Sequence, residues 1–155
     1  LLSDAYMASL YPADSNHLVS SESLRMGDAS FIGAFQHDRD GSGEGVTHRK
    51  TLAVSASETL CVACVAARFY RTEGYAEIKR LYVGKRWRGA GLAKRLMARI
   101  EAEIAEQGIQ IARLEMGVHQ PEADALYRSL GYREIPPFGE YLPDPLSQFL
   151  EKALL

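Results

Sequence analysis

Val83-Gly84-Lys85-Arg86-Trp87-Arg88-Gly89-Ala90-Gly91-Leu92-Ala93-Lys94 carries a strand through a basic, glycine-containing turn straight into a helix. Before it, Tyr75-Ala76-Glu77-Ile78-Lys79-Arg80-Leu81-Tyr82-Val83 alternates as a strand does. After it, Leu92, Leu96, Ile100 and Ile104 recur every fourth residue, Lys94, Arg95, Arg99, Glu101 and Glu103 fill the other faces, and Gly108 marks the stop. A helix N-terminus offers unpaired N–H groups and a partial positive charge; Gly89 and Gly91 allow close backbone approach, and Arg86 and Arg88 add charge. The stretch therefore reads as a site for pyrophosphate or another anion, with a purely structural turn as the alternative. It is no P-loop, because no Gly-Lys-Ser/Thr follows at the required spacing, and no dinucleotide fingerprint, because position 94 is Lys.

Working outward, Thr72-Glu73-Gly74 has turn chemistry and pairs the 75–83 strand with an apolar strand over 60–70. A shorter strand is expected over 31–35. Between the two lies a polar, Gly- and Ser-rich stretch at about 37–58, read as a long hairpin loop or insertion. Downstream, 109–116 reads as a buried strand, 122–130 as a short helix closed by Gly131, and 148–153 as a final strand. Weak helical patches fall at 5–10 and 21–26. Strands alternating with helices after a hairpin indicate an α/β chain, a mixed sheet flanked by helices, in one domain over 1–155.

The chain has 155 residues, with 18 Lys+Arg against 20 Asp+Glu and 46% hydrophobic residues. That size buries a core without disulfides or metal. The near-neutral charge gives no whole-molecule attraction to nucleic acid or an anionic membrane, and no apolar run reaches the ~20 residues that span a bilayer. A cytoplasmic location is expected, and a homodimer is left open. Cys61 and Cys64 form a C-x-x-C, but residues three apart on a strand point to opposite faces, so they are expected to be plain buried thiols. His17, His37, His48 and His119 lack ligand spacing, so no metal is expected.

Arg86-x-x-Gly89-x-Gly91 after Glu77-Ile78-x-x-Leu81-x-Val83 resembles the acetyl-CoA signature of the GNAT N-acetyltransferases. Gln120-x-x-Ala123-x-x-x-Tyr127-x-x-x-Gly131-Tyr132 is similar to that family's N-x-x-A…Y…G-[FY] helix, with Gln120 in place of the commoner Asn. The tail Pro136-Pro137-Phe138-Gly139-x-Tyr141…Asp144-Pro145-Leu146-Ser147…Glu151-Lys152 and Ser15-Asn16-His17-Leu18 resemble a microbial subgroup. The resemblance implies a GNAT fold whose sheet splays at an acetyl-CoA cleft between the strand ending at Val83 and the strand after Gly108. It also implies acetyl transfer to a primary amine, most simply a small molecule or amino-acid-like acceptor. Protein N-terminal or lysine acetylation and a non-catalytic acyl-CoA-binding domain are the alternatives.

In that scheme the pyrophosphate rests on Arg86, Arg88, Gly89, Ala90, Gly91, Leu92, Ala93 and Lys94. The pantetheine runs along Leu81, Tyr82 and Val83, and Gln120 hydrogen-bonds the same arm. An amine with a lysine-like pKa near 10.4 is neutral in about one molecule in a few thousand at pH 7, so a base or a desolvating site must help it. By the motif Glu77 takes the place of the catalytic base, the alternative being a solvated or salt-bridged strand carboxylate; it faces the cleft with Val83 if the strand alternates throughout. Glu115 is the candidate for the substrate ammonium or a proton relay. Tyr127 is the candidate acid for the CoA thiolate, or else a core aromatic.

Overall fold

The computed structural model describes residues 28–37 and 59–154. Six strands and two helices succeed one another: β1 (Ala29–His37), β2 (Thr59–Tyr70), β3 (Tyr75–Val83), a 3-10 turn (Lys85–Trp87), α1 (Leu92–Glu106), β4 (Ile111–Gly117), α2 (Pro121–Ser129), β5 (Arg133–Ile135) and β6 (Ser147–Ala153). They form one sheet in the order β1-β2-β3-β4-β6-β5. All neighbours run antiparallel except β3 and β4, whose parallel pairing requires the crossover through α1.

The β2–β3 hairpin closes where expected, with the Gly74 N–H donating to the Tyr70 carbonyl at 2.9 Å. Helix α1 lays Leu92, Leu96, Met97, Ile100 and Ile104 against one face of the sheet, where Ile32, Ala34, Ala63, Val65, Ala67, Ile78, Leu114 and Leu150 meet them in a buried core. The opposite face is aromatic: Tyr75, Phe138 and Phe149 are buried there, with Tyr70, Ile111, Ile135 and Tyr141 against them. Phe138 and Tyr141 come from the 136–146 loop between β5 and β6, which folds back across that face.

Several sequence boundaries move by a residue or two, and β5 is additional; three residues are too few to show a period of 2. His37, expected in the polar stretch, ends β1, while 38–58 and the helical patches at 5–10 and 21–26 lie outside the described residues. The cysteine reading needs correction. The β1–β2 register pairs Ala34 with Ala63 but Phe35 with Cys61, so Val62 is an extra residue that cancels one step of alternation. Cys61 and Cys64 therefore share a face, and they are exposed and half-buried, not buried. Neither forms a disulfide; the Cys61 thiol donates to the Ala63 carbonyl at 3.5 Å, and burial pushes Cys61 up.

Ile100 is wholly buried between α1 and the sheet. Ile100→Ala should cost roughly 2–5 kcal/mol, the range for a buried aliphatic truncation that leaves a cavity. Urea unfolding checks it: the midpoint should drop while the slope stays unchanged.

Candidate active site

Two backbone irregularities shape the centre of the sheet. The parallel ladder of β3 with β4 comprises only Ala76 with Ala112 and Glu77 with Arg113, and beyond it the strands part. In the same strand the β2 register jumps from Cys64–Tyr82 to Ala66–Lys79, so Arg80 and Leu81 both oppose Val65. Arg80 sits at φ 57, the one non-glycine residue at positive φ among those described, and its carbonyl accepts from the Cys64 thiol at 3.4 Å. The bulge reverses the alternation. Leu81 and Val83 pack toward the helix-side core, while Glu77 lies on the aromatic face. The expectation that Glu77 and Val83 share a face is thus corrected; strict alternation over six residues would have placed them together.

From Val83 the chain turns through the 3-10 segment, with the Trp87 N–H on the Gly84 carbonyl at 2.8 Å and Arg88 Nε on the Val83 carbonyl at 3.1 Å. Gly89 and Gly91 follow at φ 82 and 76, and a Cβ at either would meet nothing within 4 Å. Glycine is required here by backbone handedness, not by crowding. The side chains of Arg86, Arg88, Ala90 and Lys94 are exposed around the start of α1, whose first turn holds no acidic residue. Leu92 is buried and Ala93 partly so, which leaves their backbone N–H groups, not their side chains, facing this turn. Gln120 precedes α2; its carbonyl accepts from Ala123 and Asp124, and its amide makes no cap.

Glu77 is 2% exposed and heavily engaged. Its Oε1 accepts from the Tyr141 hydroxyl at 2.5 Å and lies 2.8 Å from Lys79 Nζ, and its Oε2 accepts from the Tyr70 hydroxyl at 3.3 Å. Lys79 Nζ also donates to the Tyr141 oxygen at 2.7 Å, closing a ring of three groups. Across the sheet, Arg68 and Arg113 stand opposite Glu77 on its two sides, and the row continues through Glu151 to Arg133 with alternating sign. Arg113 pairs with Glu151 at 2.7 Å and lies over the Tyr75 ring at 4.5 Å. Burial, then the charge of Glu77, pushes the Tyr70 phenol up to about 12, and the same two causes raise Tyr141.

Glu115 lies further along β4 on the aromatic face and accepts from the Ser147 hydroxyl at 2.6 Å. Tyr127 projects from α2 into the helix-side core, its ring edge-on to Tyr132 at 5.7 Å. Burial raises its phenol, and the Glu115 charge adds to the effect. So the Arg86–Lys94 turn leads into α1 on the helix side of the sheet, while Glu77 and Glu115 lie on the aromatic face. Lys79, Tyr70 and Tyr141 around Glu77 were not singled out from sequence. Lys79 was legible as the same-face neighbour of Glu77; Tyr141, 64 residues away, had only its place in the tail motif. Among the described residues no group of three or more His, Cys, Asp or Glu could hold a metal, and no helix is long and apolar enough to cross a membrane.

The sequence matches the model of the acetyltransferase (GNAT) family over residues 20–132. It is 38% identical over 151 residues to an "IAA acetyltransferase" of Azospirillum brasilense, covering 97% of this chain and 85% of that protein. In three dimensions it resembles a Klebsiella pneumoniae protein assigned as an acyl-CoA N-acyltransferase, with 32% identity, a TM-score of 0.64, and coverage of 98% of this chain and 84% of that one. The fold is shared with the PaiA N-acetyltransferase of Thermoplasma acidophilum in complex with coenzyme A, at 18% identity, a TM-score of 0.52, and coverage of 60% and 54%.

The raised tyrosines set an alkaline limit. A phenol held near 12 in the fold, against 10.0 in the open chain, stabilises the protein fully below pH 10 and loses that contribution as pH rises through 12. Tyr70, Tyr127, Tyr132 and Tyr141 all shift this way. Stability by urea unfolding should fall progressively above about pH 10, with phenolate absorbance lagging that of the urea-unfolded chain over the same interval.

Proposed function

The chain belongs to the GNAT acetyltransferase family, and on that premise we propose that it transfers the acetyl group of acetyl-CoA to a small primary amine or amino-acid-like acceptor. The observation that carries this reading is the parting of β3 from β4 between a basic, acid-free helix start and a buried carboxylate on the opposite face. The exposed Arg86 and Arg88, with the N–H groups from Gly89 to Lys94, suit the pyrophosphate. The backbone of Leu81, Tyr82 and Val83 lines the parted edge for the pantetheine, and Gln120, at the start of α2, would hydrogen-bond the same arm. An N–H there would polarise the thioester carbonyl. The 136–146 loop, closing over the aromatic face with Tyr141 on Glu77, favours a compact acceptor over an extended peptide.

In this scheme the amine nitrogen attacks the thioester carbonyl carbon, its surplus proton goes to Glu77, and the C–S bond breaks with its electron pair on sulfur. Glu115, held by Ser147, would orient the substrate ammonium before it loses its proton. Tyr127 meets the departing sulfur. An ordinary phenol, at ~10, already lies above the ~8.5 of a free thiol and burial raises this one further, so full proton transfer to the thiolate runs uphill, and a hydrogen bond to the developing charge supplies most of the benefit.

CoA thiol release, assayed over tyramine, histamine, spermidine, ethanolamine, L-lysine, L-tyrosine and short peptides with free N-termini, tests the reading directly. Small amines should turn over best; release with peptides alone would replace it by protein acetylation, and binding without release would make this a CoA-binding domain. Acetyl-CoA at about 100 times its Kd should add ~2.7 kcal/mol and raise the Tm by several degrees. Gly89→Glu should abolish that rise, by placing a charge against the pyrophosphate and forcing a side chain into φ 82; an unchanged rise in the folded variant moves the site elsewhere.

Tyr127→Phe should lower kcat near the bottom of the ~10²–10⁴-fold range for acid catalysis. The Kd for CoA should hold, since the phenol meets the sulfur mainly as charge develops. Wild-type turnover with chemistry rate-limiting would make Tyr127 a packing residue.

A further inference from the structure

Glu77 is in a poor position to meet an amine directly. It is 2% exposed, and its two oxygens already take hydrogens from Tyr141, Lys79 and Tyr70. Tyr141 is half-buried and stands between β3 and the far side of the parted sheet: its hydroxyl reaches Glu77 and Lys79, while its ring lies 5.3 Å from that of Phe149 on β6. It is held there by the loop. The Tyr141 N–H donates to the Phe138 carbonyl at 3.1 Å, and Phe138 is buried against Tyr75 and Phe149. One nitrogen already uses this phenol as a transfer would, since Lys79 Nζ donates to the oxygen at 2.7 Å while the phenol's own hydrogen points to Glu77 at 2.5 Å.

We propose that Tyr141 relays the acceptor's proton to Glu77, which deepens the reading of Glu77 as base and rests on it. As the amine nitrogen bonds to the acetyl carbon, an N–H proton passes to the Tyr141 oxygen and the Tyr141 proton passes to Glu77 Oε1. The C–S bond breaks with its electron pair on sulfur, and after release of products Glu77 returns the proton through Tyr141 to water. The phenol is neutral before and after, so no free phenolate is formed. That suits a hydroxyl whose ionisation is opposed by burial and by the Glu77 charge beside it. The groups that face Glu77 and set the balance are Arg68 and Tyr70 from β2, Tyr75 and Lys79 from β3, Arg113 and Glu115 from β4, and Tyr141 from the loop.

The test compares Tyr141→Phe, Glu77→Gln and the double variant in kcat against pH, using acetyl-CoA and whichever amine of the panel above has the largest kcat/KM. Both single variants should lose about 10²–10⁴-fold at pH 7, agree within roughly threefold, and recover toward wild type at high pH, where the amine is already neutral. The double variant should be no worse than the poorer single one, because both changes break the same transfer. Tyr141→His, which keeps a ring that gives and takes a proton, should recover part of the loss, and Tyr141→Met, which like Phe cannot pass a proton, replaces the Phe variant if that fails to fold.

If Glu77→Gln shows the pH-selective loss and Tyr141→Phe stays within twofold of wild type, Glu77 takes the proton directly and the relay is wrong while the base reading stands. If Glu77→Gln loses equally at all pH values, the base reading fails and the relay falls with it. Losses that multiply in the double variant also overturn the relay. Infrared difference spectra of the acetyl-CoA complex need no acceptor: the carboxylate band lost in Glu77→Gln should shift in Tyr141→Phe, and an unmoved band removes the hydrogen bond on which the proposal stands.

Discussion

Two residue pairs, Ala76 with Ala112 and Glu77 with Arg113, are all that joins β3 to β4 in the parallel ladder. A sheet that zips this little leaves backbone N–H and C=O groups along the parted edges, and groups of that kind need partners. The Arg80 bulge works with the parting. It turns Leu81 and Val83 to the helix side and leaves Glu77 on the aromatic side, so one strand serves both faces. Strain of the kind seen at Arg80 costs on the order of 1–3 kcal/mol and persists only where surroundings impose it. Here the surroundings are the flanking pairs with β2 and the Cys64 thiol on the Arg80 carbonyl.

Burying Glu77 makes its own demands. A carboxylate taken out of water loses several kcal/mol of hydration unless it is paired and hydrogen-bonded. Two tyrosines and Lys79 supply the bonds, and the flanking Arg68 and Arg113 place positive charge on both neighbouring strands. Arg113 is balanced in turn by Glu151, which spreads the compensation over the sheet and keeps Glu77 from relying on any one partner. The aromatic cluster of Tyr75, Phe138, Tyr141 and Phe149 excludes water around this network, which strengthens every charge interaction inside it. The 136–146 loop thus acts on the site through Tyr141 and on the fold through Phe138.

Local signals were legible without the fold. The hairpin at Gly74, the full extent of β3 and the amphipathic α1 each declare themselves by turn chemistry or by a period of 2 or near 3.6 within a dozen residues. The Arg86–Gly91 turn was legible too, because its residue types and the helix start after it are contiguous. Register was not. Val62 and Arg80 look like ordinary members of alternating strands, and only pairing with β1 and β2 shows that each offsets the alternation by one. Both errors of facing, that of the two cysteines and that of Glu77 relative to Val83, come from those offsets.

Sequence alone was enough for the α/β class, for the order of the described elements other than β5, and for a basic helix start followed by motif residues of the acetyltransferase family, since all of these are encoded over short stretches of chain. Where β3 and β4 part, which face Glu77 takes, and the reach of Tyr141 to it from 64 residues away emerge only from the assembled sheet. Those outcomes depend on backbone pairing between strands and on a loop crossing the sheet, and no periodicity within a segment records what a distant segment will be paired against.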